Sequence, residues 1–235
     1  MGCPMGFGDL NIPSSRAFWD DCDEDEPVQK DKEIKKLELL YEPNETSAPL
    51  PSKVFLLIEG TDVSEFVEAS LLQNARKICK IPSSKSSLHY VKDKEVLIAL
   101  LKEDLTNSGE VTELLLPYAK LAETVITLTV KSKIEYQSEN LRKIRDDITF
   151  LRGINSKLPH VEELDAPNFV VGVAAGIACW RHNENLPASA YVAYTDNVSL
   201  DTLAAQPILK LLQALGINCS DTYKPVYKEG SHLYM

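Results

Sequence analysis

The chain has 235 residues, 44% hydrophobic and 26% charged, with 35 acidic side chains against 25 basic ones and a formal net charge of -10. That length supports one sizeable core, and an acidic balance without a Lys/Arg stripe disfavours nucleic acid as the main partner, because neutralising phosphates takes clustered cations. The cysteines Cys3, Cys22, Cys79, Cys179 and Cys219 are odd in number and form neither a C-x-x-C nor a His-paired spacing, so they read as reduced thiols of an intracellular protein, with no metal site expected.

Residues 1–50 hold Pro4, Pro13, Pro27, Pro43 and Pro49, and a run in which Asp20, Asp21, Asp23, Glu24, Asp25 and Glu26 supply six negative charges with no base among them. Such a segment buries too little apolar area to offset its ordering entropy and is expected to be mostly disordered. A short helix is expected near Ile34 to Tyr41, in "EIKKLELLYEP". The start, "MGCPMGFGDL", lacks the basic and apolar regions of a signal peptide. Met1-Gly2-Cys3 hints at acylation, but Gly6 stands where a myristoylation signal takes Ser or Thr. The longest dense apolar stretch, Phe169 to Trp180, falls short of the ~20 residues of a membrane span, so no membrane partner is expected.

From Val54 strand-like and helix-like pieces alternate. "VFLLIEG" is a continuous apolar run stopped by Gly60, the pattern of a strand covered on both faces. Asp62 or Ser64 can cap an amphipathic helix that places Phe66, Val67, Leu71 and Leu72 on one side. "VLIALL", Val96 to Leu101, predicts a second buried strand. "EVTELLLPYAKLAE" has helical period, with Pro117 expected to bend or break it. "TVITLTV", Thr124 to Val130, is rich in β-branched residues and predicts a third strand. "SENLRKIRDDITFLRG" reads as a helix with a solvated face, stopped by Gly153. A helix of small and apolar residues follows, in which Gly172, Ala175 and Gly176 leave room for another element, and then a strand at Ala190 to Thr195. Ser199 or Asp201 can cap "LDTLAAQPILKLLQAL", and Gly216 ends it. The alternation predicts an α/β fold: a single three-layer domain over residues 51–216, a mixed sheet flanked by helices, with a flexible N-terminal segment over 1–50 and a tail over 217–235.

No G-x-S-x-G elbow, P-loop, H-E-x-x-H or G-x-G-x-x-G is present. His182 lies beyond Cys179 on one predicted helix and could activate a thiol, but it equally suits a helix C-terminus, where the macrodipole favours it. Asp196 follows a strand, where open α/β sheets place ligands, yet "TDN" is also ordinary turn chemistry. No catalytic residue and no cofactor is expected.

The chain ends in Leu233-Tyr234-Met235, the pattern hydrophobic, tyrosine, any residue. Tails of this pattern are known from proteins that dock on the outer ring of the 20S proteasome. The order "KVFLLIEGTDVSEFVEASLL", then "VLIALLKEDL" with "ELLLPYAKLAETVITLTVKSKIEYQ", then "LPASAYVAYTDNVSLDTLAAQPILKLL" resembles the proteasome assembly chaperone 1 family over Lys53 to Leu212, with a diverged middle. The resemblance implies a heterodimer with proteasome assembly chaperone 2 that holds 20S α subunits during α-ring formation. It also implies that Leu233, Tyr234 and Met235 enter a pocket between neighbouring α subunits, and that the protein works in the cytoplasm and also the nucleus. Two other readings stand beside it: a small-molecule α/β enzyme of the nucleoside-processing type, because a fold does not dictate a function, and an acylated membrane adaptor beginning at Gly2 and Cys3.

Overall fold

The structure, a computed structural model, describes residues 37–43, 45, 48–60, 63–81, 86–102, 104–138, 147–196, 200–217, 219–220 and 223. Their strands are β1 (Leu40–Tyr41), β2 (Ser52–Glu59), β3 (Arg76–Ile81), β4 (Ser86–Val91), β5 (Val96–Leu101), β6 (Ala122–Ser132), β7 (Thr149–Ile154), β8 (Glu162–Glu163) and β9 (Ala188–Thr195). They join in one sheet of order β1-β3-β4-β5-β2-β6-β9-β7-β8. The middle four strands, β5, β2, β6 and β9, run parallel. β4, β3 and β1 add antiparallel strands on one side, and on the other β7 is antiparallel to β9 with β8 parallel to β7.

The parallel middle explains the continuous apolar runs: a strand covered on both faces has no polar side to show. All six residues of β5 are buried. In β2, Leu56 and Ile58 face one helical layer while Phe55 and Leu57 face the other. The first layer is α1 (Ser64–Ser70) and α4 (Thr202–Ala214), which bury Phe66, Val67, Ile208 and Leu212 against that face. The second is α2 (Ser108–Leu121) and α3 (Gly172–Asn183), which bury Val111, Leu115, Ala174 and Ile177. Each such leucine, isoleucine or phenylalanine contributes about 1.5 to 3 kcal/mol. The expected mixed sheet flanked by helices is therefore what the chain forms.

Local terminators follow the sequence in part. Asp201 caps α4, its carboxylate accepting the Ala204 N–H at 2.7 Å, and Gly216 leaves the helix at φ 78. At α1 the N-cap is Val63, with no side-chain cap; Ser64 is already helical, and Asp62 lies outside the described residues. The small residues of α3 do admit a neighbour: a Cβ at Gly176 would lie 2.8 Å from Thr112 Oγ1 of α2.

Three expectations are corrected. The described part of the helix expected near Ile34 to Tyr41 is extended: Leu40 and Tyr41 form β1, paired with Lys80 and Cys79. Leu37, Leu39 and Tyr41 pack on the α2/α3 layer, and the Tyr41 and Tyr118 hydroxyls meet at 3.0 Å; this contact favours the strand over local helix propensity. Of the helix expected over "SENLRKIRDDITFLRG", residues 139–146 lie outside the described ones, and Thr149–Ile154 is strand β7. Arg152 suggested a solvated face, but it is 8% exposed, its charge lying over aromatic rings. Of the bend or break expected at Pro117, the break does not occur, since α2 continues to Leu121; one lost backbone donor is outweighed by Val111, Leu115, Tyr118 and Ala119, all buried on the sheet side. Ile217 and Tyr223, within the stretch read as a tail, are buried against the α1/α4 layer.

Candidate functional site

In open sheets of this kind, ligands gather at the carboxyl ends of the parallel strands. At that end of β2, Glu59 is 1% exposed. Its carboxylate accepts the N–H of Val173 at 3.2 Å and of Ala174 at 2.8 Å, in the first turn of α3. These are donors that no residue of the helix can satisfy, and the N-cap, Val171, offers no side-chain bond. Gly172 makes the approach feasible: its φ is 79, and a Cβ there would lie 2.4 Å from Glu59 Oε1.

At the ends of β6 and β9 the charges pair with one another. Lys133, whose side chain is 11% exposed, donates to the Asp196 carboxylate at 2.7 Å and to the Asp147 carbonyl. Lys131 lies 3.5 Å from Glu135 and 5.8 Å above the Phe169 ring. Beside them Tyr136, Phe150 and Tyr194 cluster with ring centroids 4.9 to 5.1 Å apart. The Arg152 guanidinium covers Phe150 at 5.0 Å and Tyr136 at 5.4 Å, donates to the Tyr136 hydroxyl at 3.2 Å and pairs with Glu162 at 2.9 Å. Tyr136 in turn donates to Asp165 at 3.0 Å. Burial pushes the Tyr194 phenol up to about 12, so it stays protonated near neutrality. This arrangement ties β7, β8 and the turn after β6 together by satisfied pairs.

A groove of about 500 Å³ runs along the other flank of α3, between Ala178, Cys179 and His182 on the helix and Ile154 and Ala190 on the sheet. Phe169, 67% exposed, belongs to the same groove. Cys179 and His182 thus share one surface, as their helical spacing implies. Asp196 does not line this groove and is held by Lys133. Among the described residues no group of three His, Cys, Asp or Glu side chains is placed to hold a metal ion, and no helix is long and apolar enough to cross a membrane.

The expected docking residues Leu233, Tyr234 and Met235 lie outside the described residues. The chain leading to them is anchored at Tyr223, whose ring meets Phe66 edge-on at 5.3 Å and whose hydroxyl donates to the Leu200 carbonyl at 2.8 Å. Sequence reasoning passed over Glu59 and Arg181. The available signal was an acid closing an apolar strand and a base inside a helix of small residues; buried ionic groups of that sort need dedicated partners.

No family model matches the chain, and no curated protein matches it by sequence. Solved structures do match. PbaB of Pyrococcus furiosus, an archaeal proteasome activator, superposes with a TM-score of 0.54 at 17% identity, covering 80% of this chain and 93% of its own. PbaA of Pyrococcus furiosus, an archaeal homolog of proteasome-assembly chaperone, superposes with a TM-score of 0.57 at 16% identity, covering 80% of this chain and 85% of its own. At these identities the shared property is the fold, a mixed sheet between helical layers.

Proposed function

We propose that this chain is a chaperone of proteasome assembly of the assembly chaperone 1 kind. It pairs with proteasome assembly chaperone 2 and holds 20S α subunits while the α ring forms. The observation that carries the proposal is the dispersal of chemistry in the body: Cys179 and His182 line an open apolar groove, while Asp196 is bound to Lys133. A pocket that turns over a small molecule gathers a few convergent polar groups; a groove with small residues and an exposed Phe169 suits a protein surface better. The fold held in common with PbaB and PbaA supports the same reading.

The tail supplies the specific contact. Leu233 can bury its side chain for about 1.5 to 3 kcal/mol, Tyr234 brings a rigid ring with a hydroxyl, and the Met235 carboxylate can accept charge-assisted hydrogen bonds. Ordering the tail costs about 1 to 2 kcal/mol per backbone residue. One tail alone is then worth a few kcal/mol, near the ~4 of millimolar binding. A second tail on the partner chain raises the effective concentration, giving a contact that holds during assembly and releases later.

The test uses the full chain co-expressed with proteasome assembly chaperone 2 and purified α subunits, with and without residues 233–235. Removing the three residues should weaken α-ring binding at least ~10-fold, or by about 1.4 kcal/mol, while the heterodimer persists. Unchanged affinity defeats the tail mechanism, and failure to recover α subunits with the intact chain defeats the function.

A further inference from the structure

We propose that the N-terminus of α3 is an oxyanion site whose resident ligand is the chain's own Glu59 carboxylate. The intact protein therefore excludes phosphate-class anions from the place where its fold could take them, and a chain whose Glu59 side chain is cut back to alanine binds them.

The site has the parts an anion needs. Two backbone N–H groups, of Val173 and Ala174, converge on the carboxylate at 3.2 and 2.8 Å, and the dipole of a twelve-residue helix adds partial positive charge behind them. Gly172 presents a bare Cα where any side chain would strike Glu59, since the nearest carboxylate oxygen stands only 2.4 Å from a Cβ at that position. Such close backbone approach, with successive N–H groups directed at one anion, is how glycine-led loops cradle phosphate. The second observation is Thr129. It stands directly across from Glu59 in the β2–β6 register, on the same face of the sheet, and is 3% exposed. Its hydroxyl has no hydrogen-bond partner among the described residues. A buried hydroxyl left so is costly, and an anion with more oxygens than a carboxylate would give it a partner.

Glu59 comes from the end of β2, a strand flanked on both sides by parallel neighbours, and it reaches α3 across 114 residues of sequence. The contact is thus made by tertiary structure and is not a local helix cap. A carboxylate covalently tethered in this way has an effective concentration that a free anion cannot match, which keeps millimolar phosphate out. Alanine at position 59 removes nearly as many heavy atoms as an orthophosphate brings, and leaves both N–H groups and the Thr129 hydroxyl unsatisfied. Glutamine keeps the bulk and removes only the charge. The proposal is independent of the role in proteasome assembly and stands or falls separately.

The experiment compares the intact chain with Glu59→Ala and Glu59→Gln by calorimetric titration with inorganic phosphate, using chloride at matched ionic strength as the control. Glu59→Ala should bind one phosphate with a low-millimolar Kd, at least ~10-fold tighter than the intact chain, and phosphate should raise its thermal midpoint more than that of the intact chain. Glu59→Gln should stay blind to phosphate. If the alanine variant is unfolded in chloride, circular dichroism reads whether phosphate restores its fold, as the proposal requires. A folded alanine variant that ignores phosphate, an unfolded one that phosphate does not rescue, or an intact chain that binds equally well each overturns the proposal.

Discussion

Arg181 offers the sharpest test of what holds the α2/α3 layer together. It sits in the last turn of α3 and is 1% exposed. Its guanidinium donates to the carbonyls of Ala119 and Ala122 at 3.0 Å, of Glu123 at 2.9 Å and of Pro187 at 2.9 and 3.3 Å. Every donor of the fork is used. Three of the acceptors stand where α2 runs into β6, the Ala119 carbonyl among those that a helix end leaves without internal partners; the fourth precedes β9. One side chain thus clamps two corners of the chain. Burial pushes its pKa down without removing the charge. In Arg181→Met the apolar bulk is retained while four carbonyls lose a charged donor, each at a cost of about 1 to 3 kcal/mol. Part of that sum is offset because a guanidinium no longer has to be desolvated, a cost of several kcal/mol. The net loss should be about 3 to 5 kcal/mol, a drop of roughly 6 to 20 °C in Tm for a domain of this size. Arg181→Lys restores a compact ammonium that cannot span all four acceptors, and should lose about half as much. Urea and thermal melts followed by circular dichroism measure both. A methionine variant within about 1 kcal/mol of the intact chain would refute the clamp.

Two further outcomes follow from His89, which is half-buried, and Tyr223, which is buried. His89 bonds Ser87 Oγ at 2.9 Å, and burial, with the Lys77 charge adding, pushes its pKa from 6.5 down to about 4. The unfolded chain takes up that proton below about pH 6.5 while the folded chain does not, so this part of the stability is present above about 6.5 and is lost as the pH falls toward 4; after solvent screening the loss is about 1 to 2 kcal/mol. His89→Gln should flatten the decline between pH 7 and 4.5 in urea melts, and an identical decline in both chains contradicts the assignment. Tyr223→Phe should cost about 1 kcal/mol for the bond to Leu200, and Tyr223→Ala about 3 kcal/mol for the lost packing on Phe66; a neutral alanine variant would show that the root of the tail is not held on the body.

What could be read locally was read correctly where a strand is buried on both sides. "VLIALL" is β5 to the residue, and the runs at Phe55, Thr124 to Val130 and Ala190 to Thr195 lie within β2, β6 and β9. The strands outside the parallel middle were harder. In β3, Arg76, Lys77 and Lys80 face solvent and the register shifts between Lys77 and Cys79, so neither a clean alternation nor a continuous apolar run exists to be seen. In β7, Arg152 looks like a surface charge until the rings of Tyr136 and Phe150 are placed beside it. The helical spacing of Cys179 and His182 was legible, but the pairing of Asp196 with Lys133, 63 residues away, was not.

By itself the order of residues determined the periods: which stretches hide both faces, which hide one stripe, and hence an α/β sheet layered by helices. It also wrote out the terminal Leu233-Tyr234-Met235, which lies outside the described residues. Tertiary structure alone decided which strands lie side by side, that Glu59 fills the N-terminus of α3, and that Arg181 closes the end of α2 across 62 residues. The reason is physical. A hydrophobic period is set by neighbours a few positions apart, whereas a buried charge is tolerated only where distant backbone groups have been brought within bonding distance.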